Sequence, residues 1–168
     1  MRIRQAKISD CNQIKITLEN SWIDTYTNKL SDSLIDYIVA KWHDKKNLSD
    51  QIKDPNVLFL VSLSNNHDIS GLITIKVLNN LELFLGRLYV DSKHQQQGIG
   101  KKLLRESIQF FPKHRTIKLE VLVANQNAIE FYYHQGFIKK HLCKKKIQTE
   151  SIQTLFLTKN INGSKCLK

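Results

Sequence analysis

Residues 88–104 read LYVDSKHQQQGIGKKLL. Apolar residues alternate at the start of this stretch and recur at helical spacing at its end, which predicts a strand, a short polar loop and an amphipathic helix. Gly98 and Gly100 fall at the first turn of that helix, where backbone N–H groups have no helical partner. Because Lys101 and Lys102 add positive charge, this helix N-terminus favours an anion such as a diphosphate.

Two common phosphate-binding motifs do not fit these glycines. A Walker loop reads G-x-x-x-x-G-K-[ST], which matches neither the spacing of Gly98 and Gly100 nor the residues that follow. A Rossmann fingerprint reads G-x-G-x-x-G, and Leu103 occupies the place of its third glycine. The remaining pattern is Q-x-x-G-x-G, beginning at Gln95 and following a predicted strand.

This loop resembles the acetyl-CoA loop of the GNAT superfamily of N-acetyltransferases, which reads Q/R-x-x-G-x-G/A. A second stretch, residues 125–137, reads NQNAIEFYYHQGF and is similar to a later signature of the same family, N-x-x-A-I-x-F-Y-x-x-x-G-F. The matching positions are Asn125, Ala128, Ile129, Phe131, Tyr132, Gly136 and Phe137. On these two motifs the chain is identified as a member of that superfamily.

The resemblance implies an α/β fold with a mixed, mostly antiparallel central sheet flanked by helices. The strands ending at Val90 and Val123 would run parallel and splay, and the pantetheine arm of acetyl-CoA would enter the gap. Gly86 is expected to form a bulge that opens the first of these strands. The length of 168 residues predicts a single domain over residues 1–160, with a C-terminal tail at 161–168.

Three further stretches carry structural expectations. Residues 57–63 are nearly all apolar, which predicts a strand covered on both faces. Residues 41–55 are polar and charged, and they are interpreted as a linker, with a partial helix within it left open. The chain from Lys159 onward is expected to be frayed.

The family's reaction moves an acetyl group from acetyl-CoA, used as a co-substrate without a metal, to a primary amine. The resemblance implies that backbone N–H groups of Leu88 and Val90 polarise the thioester carbonyl, and that Asn125 binds the cofactor or caps its helix. One departure is Gln96, where the family usually has glycine; its side chain fits if φ stays negative. The cofactor-binding residues implied are Leu88, Val90, Gln95, Gln96, Gln97, Gly98, Ile99, Gly100, Lys101 and Asn125.

Catalytic and acceptor residues follow from the same resemblance. Tyr132 occupies the signature tyrosine position and is expected to protonate the leaving thiolate; the register selects it over Tyr133. Glu82 is the candidate for the general base; the alternatives are that a water chain deprotonates the amine and that Glu82 is only a solvated charge at the end of its strand. Trp22 and Tyr26 are expected to contact the acceptor, with a core role as the alternative, favoured for Trp22.

The acceptor is expected to be a small amine, such as a polyamine, an amino acid or a drug. A protein or peptide N-acetyltransferase, or a non-catalytic module that binds acetyl-CoA or RNA, stays open. The net charge of +11 fits an anionic cofactor, and the lysine-rich stretch 139–146 is interpreted as the guarded edge of a sheet, so a nucleic-acid partner is not expected.

The remaining expectations concern location and assembly. The first residues lack the apolar run of a signal peptide, and no stretch reaches membrane-spanning length. Cys11, Cys143 and Cys166 fit no metal or redox spacing. A cytoplasmic location is therefore expected, and a homodimer is left open.

Overall fold

The computed structural model describes residues 2–161, and a seven-stranded sheet forms its centre. The strands are β1 (Arg2–Gln5), β2 (Val57–Leu63), β3 (Ile69–Val77), β4 (Glu82–Val90), β5 (Thr116–Leu122), β6 (Ile138–Ile147) and β7 (Glu150–Asn160). The helices are α1 (Cys11–Tyr26), α2 (Asp32–Trp42), α3 (Lys45–Lys53), α4 (Ile99–Gln109) and α5 (Gln126–His134).

The strand order is β1-β2-β3-β4-β5-β7-β6. Neighbouring strands are antiparallel except β4 and β5, which run parallel. The predicted mixed, mostly antiparallel sheet is therefore confirmed. The lysine-rich stretch 139–146 lies on β6, an exposed strand at one edge of the sheet, as expected for residues that guard an edge.

Helices cover both faces of this sheet. Side chains of α4 and α5 pack into one core with alternate residues of the central strands, and α1, α2 and α3 cover the opposite face. On β2, Leu58 and Leu60 point into the first core, while Phe59 and Val61 point into the second. The prediction that this strand is covered on both faces is confirmed.

Gly86 forms a bulge in β4. Thr74 of β3 is opposite Arg87 and the next residue, Ile75, is opposite Leu85, so Gly86 is an extra residue on β4. Because of this extra residue, the core next to α4 receives Leu83 and Leu85 before the bulge and Leu88 and Val90 after it. The predicted bulge is confirmed.

The parallel pair separates partway along its length. The pairing of β4 with β5 ends at Leu85 and Leu119, although β4 continues to Val90. Beyond that point β5 stays paired with β7, as far as Leu122 opposite Thr154. The two strands therefore splay, as expected, and leave a gap between their C-terminal halves.

Two expectations are corrected. The helix left open within residues 41–55 is the regular helix α3, and this stretch is more than a linker, because Asp44 caps the helix by accepting hydrogen bonds from the backbone of Lys46 and Asn47, and Leu48 is buried. The chain does not fray at Lys159, since β7 continues to Asn160 in register with Thr116. Of the expected tail, residues 162–168 lie outside the described part of the chain.

Candidate active site

The gap between β4 and β5 exposes backbone groups of β4. The backbone N–H of Asp91 donates to the carbonyl of Ser70, 3.1 Å away, on the β3 side. Alternate residues of a strand direct their backbone groups to opposite neighbours, so Leu88 and Val90 face the gap. The carbonyl of Val90 accepts a hydrogen bond from Gln95 Nε2 at 3.1 Å, a side-chain partner in place of a strand.

Gly98 turns the chain into α4. Its φ of +76° is left-handed, and a Cβ added there would meet no atom within 4 Å. No side chain caps this helix N-terminus, so the first backbone N–H groups of α4 are left to an external acceptor. This end of the helix can hold an anion.

Gln96 also adopts a left-handed conformation, with a φ of +59°. The condition under which its side chain was expected to fit, a negative φ, is therefore not met. A non-glycine residue in this region costs on the order of 1–2 kcal/mol. Gln96 thus holds the backbone conformation that glycine adopts without strain.

The two sequence motifs meet where α4 crosses α5. A Cβ at Gly100, in the first motif, would lie 3.5 Å from the ring of Phe131, in the second. The first turn of α4 therefore lies beside α5, with room for a methyl group at Gly100.

The second motif describes a helix with both ends capped. Asn125 Oδ1 accepts from the backbone N–H of Ala128 at 3.1 Å, which caps the start of α5. Gly136, with a φ of +81°, closes its end in a Schellman arrangement, in which the N–H of Phe137 donates to the carbonyl of Tyr132 at 3.0 Å. The rings of Tyr132 and Phe137 also pack edge to face, 5.4 Å apart.

A cleft of about 370 Å³ opens at the splayed strands. Its lining includes five of the predicted site residues: Trp22, Tyr26, Leu88, Asn125 and Tyr132. The other predicted cofactor residues lie where β4 leads into α4. The strand ends at Val90, and the connection then contains Gln95, Gln96 and Gln97. Gly98 precedes α4, whose first turn contains Ile99, Gly100 and Lys101.

Hydrogen bonds join the aromatic side chains of the cleft to their surroundings. Asn125 Nδ2 donates to the hydroxyl of Tyr26 at 3.3 Å, so Asn125 both caps α5 and contacts the cleft wall. Trp22 Nε1 donates to the hydroxyl of Tyr89 at 2.8 Å. Trp22 and Tyr26 are both buried, as a core role requires, and both line the cleft.

The buried phenol of Tyr132 is held in its neutral form. Burial raises the pKa of Tyr132, and the neighbouring Tyr89 and Tyr26 raise it further. The same effect of burial raises the pKa of Tyr26. Both hydroxyls are therefore protonated at neutral pH and can donate.

Glu82 lies at the first residue of β4, at the end of the strand far from Val90. Its carboxylate pairs with Lys118 and accepts a hydrogen bond from Asn79 Nδ2 at 3.0 Å; both interactions lower the pKa of Glu82. It is not among the residues that line the cleft within the described chain. This position does not suit the role of general base that was expected for Glu82.

The carboxylate that does line the cleft is Glu120, which sequence reasoning missed. It follows Leu119, the last residue of β5 that pairs with β4, and lies on the same face of β5 as Leu122. Lys145 of β6 donates to Glu120 Oε2 at 2.6 Å. Alternation along residues 116–122 places Glu120 on the face of β5 opposite Leu119 and Val121, but it does not show that this face opens on the cleft.

Arg87 and His43 also line the cleft and were missed. Arg87 follows the bulge at Gly86, which moves it to the face opposite Leu88. His43 directly follows α2 and is 1% exposed. Burial, followed by the positive charges of Arg87 and Lys15, lowers the pKa of His43 to about 4, so this imidazole is neutral at physiological pH.

Two broader features of residues 2–161 complete the description. None of the described helices has the length and apolar character that a membrane span requires. The same residues contain no group of three or more His, Cys, Asp or Glu side chains arranged to hold a metal ion.

Solved structures with the same fold come from all three domains of life. A PaiA N-acetyltransferase from Thermoplasma acidophilum, in complex with coenzyme A, is 24% identical, with a TM-score of 0.82 over 95% of this chain and 98% of that one. The ribosomal-protein-S18-alanine N-acetyltransferase from Escherichia coli is 18% identical, with a TM-score of 0.72 over 95% and 93%. NAA60 of Arabidopsis thaliana, in complex with a bisubstrate analogue, is 16% identical, with a TM-score of 0.67 over 97% and 99%.

The family assignment comes from the sequence itself. The profile of the acetyltransferase (GNAT) family matches residues 17–137. This match covers most of the chain, includes both motifs and spans the splayed strands. The chain belongs to the acetyltransferase (GNAT) family.

Proposed function

We propose that the protein transfers the acetyl group of acetyl-CoA to a small primary amine. The observation that carries this proposal is the splay of β4 and β5 beyond Leu85 and Leu119, beside the uncapped N-terminus of α4 at Gly98. The helix end suits the pyrophosphate, and the gap suits the pantetheine arm. The acceptor ammonium first loses a proton, the amine nitrogen then bonds to the acetyl carbon, and the carbon–sulfur bond breaks. The second proton from nitrogen balances the one that the thiolate takes up, so the products are an amide, free coenzyme A and one proton.

Backbone groups of β4 have the oxyanion role in this proposal. Leu88 and Val90 face the gap, and their N–H groups are held in place because the rest of β4 is paired with β3. Fixed donors aimed at developing negative charge are among the strongest catalytic devices, with one donor typically worth about 10²–10³ in turnover. This role needs no particular side chain at either position.

Tyr132 is proposed as the acid. Its ring lines the cleft, packs against Phe131 and Phe137, and keeps its proton because burial raises its pKa. A neutral phenol at this place can donate its proton to the departing thiolate.

Glu120 is proposed as the proton acceptor, directly or through water, in place of Glu82. It is the carboxylate among the cleft-lining residues, and it stands on β5 beside the gap. Glu82 is engaged by Lys118 at the other end of β4.

The cleft is covered along one side, which favours a small acceptor over a peptide. Ser31, at the N-terminus of α2, donates a hydrogen bond to Glu150, where β7 begins. The hairpin of β6 and β7 therefore meets α2, and its residues Lys145, Ile147 and Thr154 form part of the cleft lining. A peptide groove would have to be open along this side.

Acetyl-CoA binding and thiol release test the proposal together. At one hundred times its dissociation constant, acetyl-CoA should stabilise the fold by about 2.7 kcal/mol, which is a rise in Tm of roughly 5–10 °C for a chain of this size. A panel of primary amines should then release free coenzyme A, detected with a thiol reagent. An unchanged Tm in millimolar acetyl-CoA would contradict the proposal.

A further inference from the structure

The charges that line the cleft do not balance. The lining contains two basic side chains, Arg87 and Lys145, and one acidic side chain, Glu120. Lys145 already pairs with Glu120, at 2.6 Å from Oε2. His43 adds no charge, because its pKa of about 4 leaves it neutral at physiological pH. The cleft as a whole therefore carries an excess positive charge.

The excess lies on Arg87. Its guanidinium donates to the side-chain oxygen of Gln51 and, at 2.9 Å, to the backbone carbonyl of Trp42. Both partners are neutral, and no ion pair to Arg87 exists within residues 2–161. A guanidinium has five N–H donors in a planar fork that matches a carboxylate, and these two hydrogen bonds use only part of it.

A partly buried cation without a counter-ion is costly, and proteins normally pair such a charge. Burial lowers the pKa of Arg87, which reflects this cost. Since Arg87 lines the cleft, an anionic group of a bound molecule can supply the missing counter-ion.

His43 gives a second, independent indication at the same place. Its ring lines the cleft and is 1% exposed, yet its Nδ1 has no hydrogen-bond partner among the described residues. A buried polar atom without a partner is rare in proteins. The ring is held by Trp22, whose ring centre lies 6.0 Å away. A bound polar group could satisfy the imidazole as well as Arg87.

We infer that Arg87, with His43 beside it, binds a carboxylate of the acceptor, so that the acceptor is a primary amine of the amino-acid class. This inference rests on the proposed acetyl transfer. Arg87 stands on β4 and Glu120 on β5, each just beyond the last pair, Leu85 and Leu119. An acceptor lying across the gap can thus place its acidic end at Arg87 and its amine towards Glu120. The excess positive charge disfavours a polyamine.

Pairs of acceptors that differ only in the acidic group test this inference. Amino acids and their carboxamides have nearly the same shape but differ in the pKa of the amine, so the effect of the carboxylate charge is read from the change in the ratio of their kcat/KM values between the wild-type protein and a variant. For the wild-type protein this ratio should exceed about 10, and Arg87→Gln should lower it about 10–100-fold, the range expected for a charge-assisted hydrogen bond. Arg105→Gln removes the same charge from an exposed position on α4 and should leave the ratio unchanged.

Other results would contradict this inference or the proposed acetyl transfer on which it rests. A wild-type protein that acetylates carboxamides or polyamines faster than amino acids would overturn the inference, whether or not Arg87→Gln folds. A phosphate-bearing amine preferred to the matched carboxylate would also overturn it. Equal losses for acids and carboxamides in Arg87→Gln would mean that Arg87 only holds Trp42 and Gln51 in place. An absent Tm shift with acetyl-CoA would instead count against the proposed acetyl transfer itself.

Discussion

The side-chain amide of Asn125 donates a hydrogen bond to the hydroxyl of Tyr26, 3.3 Å away. The same side chain accepts from the backbone N–H of Ala128 and so begins α5. One residue thus joins the helix that carries Tyr132 to the end of α1, which forms a wall of the cleft. The sequence left two roles open for Asn125, binding of the cofactor and capping of its helix; the structure shows the cap, and the side-chain amide also reaches the wall of the cleft.

The contribution of each of these two hydrogen bonds of Asn125 to the stability of the fold can be measured. Asn125→Ala removes both hydrogen bonds and should lower the free energy of unfolding by about 1 kcal/mol for the cap alone, plus the loss of the contact with Tyr26. Tyr26→Phe removes only that contact and should cost less. Urea unfolding of both variants gives the comparison, and equal costs would show that the cap contributes little.

Gly98 and Gly100 should respond differently to the same methyl group. Gly98→Ala forces a Cβ into a left-handed backbone and should destabilise the fold by about 1–2 kcal/mol, although space for the Cβ is open. It should also weaken the Tm shift produced by acetyl-CoA. Gly100→Ala lies within α4 at an ordinary contact distance from Phe131, so it should be neutral or stabilising. Thermal denaturation of both variants checks this, and equal destabilisation would contradict the assignment of strain to Gly98.

The variant Tyr132→Phe tests whether Tyr132 is the general acid that protonates the leaving thiolate. Its turnover should fall by about 10²-fold, the lower end of the usual range for general acid catalysis, with the affinity for acetyl-CoA nearly unchanged. A free thiol has a pKa of about 8.5, so the deficit should shrink as the pH of the assay rises beyond that value. A loss that appears only as a higher KM for acetyl-CoA would make Tyr132 a binding residue.

Variants of Glu120 and Glu82 form a matched pair that tests which carboxylate is the general base. Glu120→Gln should lower kcat/KM for the amine by about 10²-fold or more, because Glu120 lines the cleft. Glu82→Gln removes a carboxylate that is bound to Lys118 outside the cleft, and turnover should stay near that of the wild type. Steady-state kinetics over a range of pH separates them, and the reverse pattern would restore Glu82 as the base.

His43 should make stability depend on pH. Its folded pKa of about 4 lies below the ordinary value of about 6.5, so the unfolded chain binds a proton between these two values and the folded one does not. Stability should therefore be fully present above about pH 6.5 and fall as the pH drops towards 4, by up to about 3 kcal/mol. Asp10, whose pKa is lowered by Arg4, titrates below this window.

His43→Phe should remove that dependence. Urea unfolding of both proteins at intervals from pH 4 to 7 provides the measurement. A wild-type protein whose stability is flat across this range would mean that His43 takes up its proton without unfolding.

The sequence predicted the parts of the site that depend on local structure. Gly98, Asn125 and Gly136 each mark a helix end, and helix ends are specified by a few adjacent residues. The bulge was also expected at Gly86, because glycine within a strand often marks one. These positions follow from backbone conformation and short-range hydrogen bonds.

The residues that the sequence did not identify depend on how distant strands meet. Glu120 belongs to the cleft because pairing with β4 stops at Leu119, which no local pattern in β5 records. Arg87 lines the cleft because the bulge one residue before it determines on which face of β4 its side chain lies. His43 lines the cleft because α2 ends against the sheet. Glu82, the expected base, lies at the far end of β4 and outside the cleft, so Glu120 takes its place in the proposed mechanism.

The extra residue at Gly86 reverses the alternation of side chains between the two halves of β4. Before it, odd-numbered residues such as Leu83 and Leu85 point into the core with α4; after it, even-numbered residues such as Leu88 do so. Deleting Gly86 would restore an unbroken alternation of side chains along β4. Each side chain from Arg87 to Val90 would then point to the opposite face of the sheet. The constraint at this point therefore falls on the number of residues in the strand, and a substitution of Gly86 would do less harm than its removal.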